Sequence, residues 1–194
     1  MTHLYPFLIY VFVTTFTPGP NNIMSMAGGM RYSYPKMLRF LLGISTGFFI
    51  VLFISGLLNI GLATLIPASE HWLKVLGAVY MAYLAYHVFR SGPVDSPEGS
   101  LSTYSFWFGF SMQFLNVKGI LYGVTVFSLF ITTIYRDPFT IFLFALFLAL
   151  VGFIAISCWA IGGNVFRNLA QKHYRIFNLA MGGLLIYTAI ASLI

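Results

Sequence analysis

Apolar runs of membrane-spanning length fill most of this chain, and two of them are broken in their middles, one in each half. The first break is Thr17-Pro18-Gly19-Pro20-Asn21-Asn22 and the second is Gln113-Phe114-Leu115-Asn116-Val117-Lys118. Hydrocarbon offers no hydrogen-bond partner. A spanning segment must therefore satisfy its own backbone, and it tolerates an interruption only where protein or a polar cavity receives the freed groups. Interrupted segments at corresponding places in two halves point to a transporter's binding site near the bilayer midplane.

Composition agrees. Hydrophobic residues make up 59% of the 194 positions and charged residues only 7%, and the mean hydropathy is +0.89. A soluble domain needs far more charge to cover its surface. The net charge of +6 does not imply nucleic acid, because the basic residues lie in short clusters between apolar runs, where they act as topology signals. Met1-Thr2-His3-Leu4 has no basic n-region and no small-residue cleavage site, so no removable signal peptide is expected. The single Cys158 forms no internal disulfide, and no Cys/His metal spacing occurs. No cofactor or metal is expected.

The pattern predicts an all-α integral membrane protein, one transporter domain over residues 1–194, with six transmembrane helices. Helix 1 covers about Leu4 to Met30 and helix 4 about Ser105 to Ile134, each containing a break. Helices 2, 3, 5 and 6 cover about Leu38 to Ile66, Trp72 to Phe89, Phe139 to Gly162, and Ile176 to Leu193. The one clearly polar stretch, 91–103, separates repeat 1 (about 1–90) from repeat 2 (about 104–194). Three helices per repeat make the second enter the membrane inverted. Arg31, Lys36, Arg39, Arg90, Arg167, Lys172 and Arg175 place the loops after helices 1, 3 and 5 in the cytoplasm, with both termini outside.

Two prolines around a glycine open a helix for about a turn, because proline lacks an N–H and clashes with the preceding turn. The half-helix that restarts at Asn21 and Asn22 presents free N–H groups and a partial positive charge, an anion site suited to an amino-acid carboxylate. Pro18, Gly19, Pro20, Asn21 and Asn22 are therefore candidate substrate-binding residues. Lys118 lies near the centre of helix 4, where a charged lysine costs at least roughly 2.5–3.5 kcal/mol on insertion scales. The four acids, Glu70, Asp95, Glu98 and Asp137, all fall in loops or at helix ends, so Lys118 reads as an unpaired or neutral intramembrane lysine. It would pair with a substrate carboxylate, carry a proton, or cap the carbonyls of a broken helix. Asn116 and Gln113 offer amides to substrate or to neighbouring helices, and Tyr122, one turn beyond Lys118, faces the same cavity. Gly43 and Gly47 form a small-xxx-small spacing that reads as helix packing, as do Gly162-Gly163 and Gly182-Gly183.

These residues resemble the lysine exporter (LysE/RhtB) family of small amino-acid exporters. The carriers are Thr17-Pro18-Gly19-Pro20-Asn21-Asn22, the glycine-spaced helix 2 and Asn116-x-Lys118. The family usually has Asn-Pro-Lys in helix 4. Val117 replaces that proline, which predicts a second break marked by polarity more than by a sharp interruption of the backbone. Ser105-Phe106-Trp107, Leu121-Tyr122-Gly123-Val124-Thr125 and Cys158-Trp159-Ala160 are similar to the branch that exports cysteine and O-acetylserine. The resemblance implies a plasma-membrane secondary exporter of small neutral amino acids, with protons as coupling ion, the lipid bilayer as surroundings and a homo-oligomer admitted. Threonine, homoserine or lysine are alternative substrates. A cation transporter of similar topology is disfavoured, because hard cations need oxygen ligands such as carboxylates and Lys118 would repel them. An intramembrane enzyme is disfavoured by the absence of paired acids, of HExxH and of Gly-x-Ser-x-Gly.

Overall fold

The computed structural model describes residues 4–61, 66–90 and 104–193, and every regular element among them is helical. In order they are α1 (Leu4–Phe16), α2 (Pro20–Arg31), α3 (Tyr34–Gly61), α4 (Ile66–Phe89), α5 (Phe106–Leu115), α6 (Val117–Val126), a π-helical turn (Phe127–Ile131), α7 (Pro138–Val165), α8 (Arg167–Lys172) and α9 (Tyr174–Leu193). The expected linker over 91–103 lies outside the described residues. Tyr34–Ile60 and Pro138–Val165 are each long and apolar enough to cross a membrane, and α5 with α6 and its π turn makes a third candidate bent by 64°.

The expected helix 1 is two half-helices, α1 and α2, separated at Thr17–Gly19. Expected helix 4 is likewise α5 and α6, parted at Asn116. That second break is sharper than its sequence implies, and Asn116 supplies what a proline would have done. It ends α5 with φ −82° and ψ 86°, and its Oδ1 accepts the Gly119 N–H at 3.3 Å, so one residue caps both half-helices. Boundaries also move: expected helix 2, about Leu38 to Ile66, is α3 at Tyr34–Gly61. α4 starts at Ile66 instead of Trp72, with Pro67 in the first turn, where a missing N–H leaves no bond unmade. The basic loop after helix 5 contains α8, whose six residues are too few to show a helical period. α7 begins at Pro138, and the Asp137 carboxylate accepts the Thr140 N–H at 2.8 Å, a bond that holds its pKa below the ordinary range.

Packing runs inside out relative to a soluble protein. Leu4, Tyr5, Ile9 and Phe12 on α1, and Phe139, Leu150, Ile154 and Ile161 on α7, are exposed, whereas Asn22, Ser25, Ser55, Gln113, Asn116 and Ser157 are buried. Exposed apolar surface of this extent marks a surface for membrane or protein contact. Two large apolar clusters fill most of the interior, with a small third of Ala78, Met81 and Ala189. One gathers Ile23, Met30, Met37, Phe40, Ile44, Tyr104 and Ile156, and the other Phe7, Val11, Phe48, Tyr122, Phe127 and Ile141. α3 and α7 pack against each other, as do α4 and α9, α2 and α7, and α3 with α5 and α6.

Small residues set the closest crossings. A Cβ on Gly43 would strike the Phe106 carbonyl, and one on Gly47 would lie 2.6 Å from the Phe110 carbonyl, so α3 and α5 touch backbone to backbone there. Gly29 meets the Ala160 carbonyl and Gly163 the Met26 carbonyl, which joins α2 to α7 in the same way. The paired glycines expected to pack are not equivalent. Gly182 lies under the Phe89 ring, whereas a Cβ on Gly162 or Gly183 would meet nothing within 4 Å. Alanine is favoured over glycine inside a helix by roughly 0.5–1 kcal/mol. Gly162→Ala should therefore hold or raise the melting temperature in detergent, while its neighbour Gly163→Ala should lower it by driving α2 from α7. Equal melting of the two variants would remove that crossing from the structure.

Candidate functional site

The two breaks meet. Between them lies a cleft with about 490 Å³ of empty space, counting its open mouth. Its walls are Thr14 and Thr15 at the end of α1, Gly19 to Asn22 at the first break, and Asn116, Lys118, Gly119 and Tyr122 at the second. Ile44, Ser45 and Phe48 of α3 and Gly152 and Ile156 of α7 complete it. Of the nine candidate binding residues, seven line the cleft: Gly19, Pro20, Asn21, Asn22, Asn116, Lys118 and Tyr122. Pro18 and Gln113 stand behind it as supports.

The supports follow from an accounting of the carbonyls that the first break frees. Thr17 N–H donates to the Val13 carbonyl at 3.0 Å, and the Thr17 hydroxyl to that of Thr14 at 3.0 Å. Asn22 Nδ2 donates to Thr15 at 2.9 Å and to Thr17 at 2.8 Å. Trp159 Nε1, reaching over from α7, donates to Phe16 at 3.2 Å. Lys118 Nζ donates to the Thr17 carbonyl at 2.9 Å, the Thr17 hydroxyl at 3.0 Å and the Pro18 carbonyl at 3.1 Å. Each carbonyl from Val13 to Pro18 thus has a donor, as a buried helix end requires.

Lys118 is therefore not unpaired. Its three donors meet three neutral oxygens at the C-terminal end of α1, where the helix dipole favours a cation. Among the weighed roles, capping of the broken helix is the one that this geometry displays. Gly19 makes room for it. A Cβ there would lie 2.8 Å from Lys118 Cδ and 3.1 Å from Nζ.

A second tie runs beside the first. Asn21 Nδ2 donates to Gln113 Oε1 at 2.8 Å, and Gln113 Nε2 returns a bond to Asn21 Oδ1 at 3.0 Å. Gln113 also donates to the Gly109 carbonyl at 3.0 Å, and Asn116 Nδ2 donates to Gln113 Oε1 at 3.5 Å. Gln113 and Asn116 are almost wholly buried, so this amide chain fixes the relative position of the breaks. α2 itself has no side-chain cap, and Pro20 at its start has no N–H, so the first turn keeps its positive end toward the cleft. Among the described residues no cluster of three His, Cys, Asp or Glu is placed to hold a metal ion.

A family model, LysE type translocator, matches residues 12–194. The chain belongs to the LysE-type translocator family. It is 36% identical over 191 residues to a cysteine/O-acetylserine efflux protein of Escherichia coli O157:H7, with 97% of this chain and 96% of that protein covered. It is 34% identical over 189 residues to the protein of that name from Escherichia coli strain K12, with the same coverage. No solved structure matches. Family and apolar helices together make this LysE-type translocator a multi-pass membrane protein.

Sequence reasoning missed Thr14, Thr15, Ser45, Phe48 and Trp159 in this LysE-type site. A tryptophan amid an apolar run was the available signal, since a buried indole N–H needs an acceptor. Removing that donor tests the accounting. Trp159→Phe leaves the Phe16 carbonyl without its partner, at a cost of about 1–3 kcal/mol, and should lower thermal stability in detergent. Cys158→Ala, next to it and exposed, should not, so equal losses would place the effect elsewhere.

Proposed function

We propose that this translocator exports small neutral amino acids, cysteine and O-acetylserine among them, from the cytoplasm by alternating access. The relatives named for cysteine/O-acetylserine efflux, alike over nearly the whole chain, support amino-acid export. The observation that carries the mechanism is the cleft at the junction of two broken helices, bounded on either side by an apolar cluster. Ile44 and Ile156 on its wall belong to one cluster, and Phe48 and Tyr122 to the other. A midplane site with a packed plug on each side is what alternating access needs.

On this reading the chain is one domain with six spans and two inverted three-helix repeats, in the bacterial inner membrane with both termini outside. Relating α1, α2, α3 and α4 to α5, α6, α7 and α9 turns the α3–α7 and α4–α9 contacts into themselves. It also turns α2–α7 into α6–α3, and α5–α3 into α1–α7, and all of these pairs pack. That exchange supports a two-fold relation between the repeats.

The uncapped start of α2 receives the substrate carboxylate on backbone N–H groups, aided by the helix dipole. Asn22 gives its Nδ2 to carbonyls, so its Oδ1 and that of Asn116 are the acceptors for the substrate amine. Lys118 adds positive charge beside the carboxylate. A carboxylate that draws Lys118 away competes with the Thr17 and Pro18 carbonyls, and so loosens a tie between the halves as substrate arrives. Export is proton-coupled, and a homo-oligomer is compatible with the exposed apolar faces.

Lys118→Met should abolish efflux of labelled cysteine and O-acetylserine from loaded proteoliposomes while membrane insertion persists. Wild-type efflux by the variant would remove Lys118 from the mechanism. With the unmodified protein, efflux should accelerate when the external medium is made more acidic than the lumen. Rates indifferent to that gradient would rule out proton coupling.

A further inference from the structure

Two residues of the cleft carry buried hydroxyls to which the fold gives no well-formed hydrogen bond. Thr15 Oγ1 and Tyr122 Oη are both sealed from the surface, and neither has a hydrogen-bond partner in good geometry. Each has only the other within weak hydrogen-bonding reach, across from α1 to α6, and both residues line the cleft. Leaving a buried hydroxyl unmatched costs about 1–3 kcal/mol, and native structures hold few such groups.

Packing explains why the tyrosine does not turn away to find a partner. Its ring is stacked against Tyr10 (centroids 5.9 Å apart, planes at 3°) and against Phe48 (5.8 Å, 30°). The ring is fixed between them and Tyr122 is only 4% exposed, so the hydroxyl direction is set before any ligand arrives. A preorganised donor and acceptor in a dry wall selects ligands that complete it, and rejects those of equal size that do not.

We propose that Thr15 and Tyr122 form the side-chain subsite of the translocator, which selects amino acids whose γ-position atom forms hydrogen bonds over those with an alkyl group there. This rests on the export reading above and adds to it the source of selectivity. The hydroxyls suit a thiol or hydroxyl, which accepts from one and donates to the other. They equally suit an ester oxygen, which accepts from both. A γ-methyl group there leaves the two oxygens with only their weak contact to each other.

The test compares initial efflux of labelled cysteine and O-acetylserine with that of 2-aminobutyrate, in which a methyl group replaces the thiol, from proteoliposomes under reducing conditions. The unmodified protein should favour the polar pair. Tyr122→Phe keeps the stacked ring and Thr15→Val keeps the shape, and each should lower the polar-to-alkyl efflux ratio about tenfold or more. Tyr122→Phe should also melt no lower than the unmodified protein, since it removes an unmatched hydroxyl. An unchanged ratio, or equal loss for all three substrates together with a lowered melting temperature, would overturn the subsite and leave export standing. Failure of the unmodified protein to carry any of the three would instead overturn the export reading, and the subsite with it.

Discussion

Backbone carbonyls without partners are the constraint on which this structure turns. Thr17-Pro18-Gly19-Pro20 ends α1 inside an apolar protein, where an orphaned carbonyl has no water to accept from. The chain answers with donors from three other elements: Asn22 on α2, Lys118 on α6 and Trp159 on α7. Satisfying the broken helix therefore assembles the site. The same bonds bring the second break against the first, because Lys118 is the second residue of α6. Repairing the backbone at one break and building the cleft are one physical event.

The second break obeys the same rule by a different means. Its backbone turns at Asn116 without a proline, since an asparagine side chain caps the new helix and buried amides hold the turn in place. Valine at position 117 accordingly costs the break nothing in sharpness. The two breaks are tied twice, once through Lys118 on carbonyl oxygens and once through the Asn21–Gln113 amide pair. Both ties consist of hydrogen bonds between neutral acceptors and side chains of the opposite half. Such contacts can be exchanged for contacts to a polar solute at modest net cost, whereas the glycine crossings of α2 on α7 and α3 on α5 join backbone to backbone and hold the frame.

Much of this was legible along the chain. Pro-Gly-Pro announces a break because proline cannot continue a helix, and a lysine amid apolar residues announces a polar partner because its burial is otherwise costly. Seven of the nine candidate residues line the cleft for that reason. What Lys118 touches was not legible, because its partners are carbonyls about a hundred positions away and every residue carries a carbonyl. Thr15 and Trp159 were obscured similarly. Their residue types are ordinary in membrane helices, and only tertiary placement sets Thr15 beside Tyr122 and Trp159 on the Phe16 carbonyl. Gly162 and Gly163 look alike in sequence, yet only one faces a neighbouring helix.

The sequence by itself determined the helical class, the membrane as solvent, the places where two helices break and the polar residues gathered there. Those follow from local rules: apolar run length, proline stereochemistry and the cost of burying charge. Only the tertiary structure decided which donor meets which carbonyl, how sharply α5 turns into α6, and which hydroxyls remain unmatched in the cleft. Those depend on distances between segments remote in sequence, and a chain of similar apolar helices leaves such distances open until glycine crossings and backbone hydrogen bonds close them.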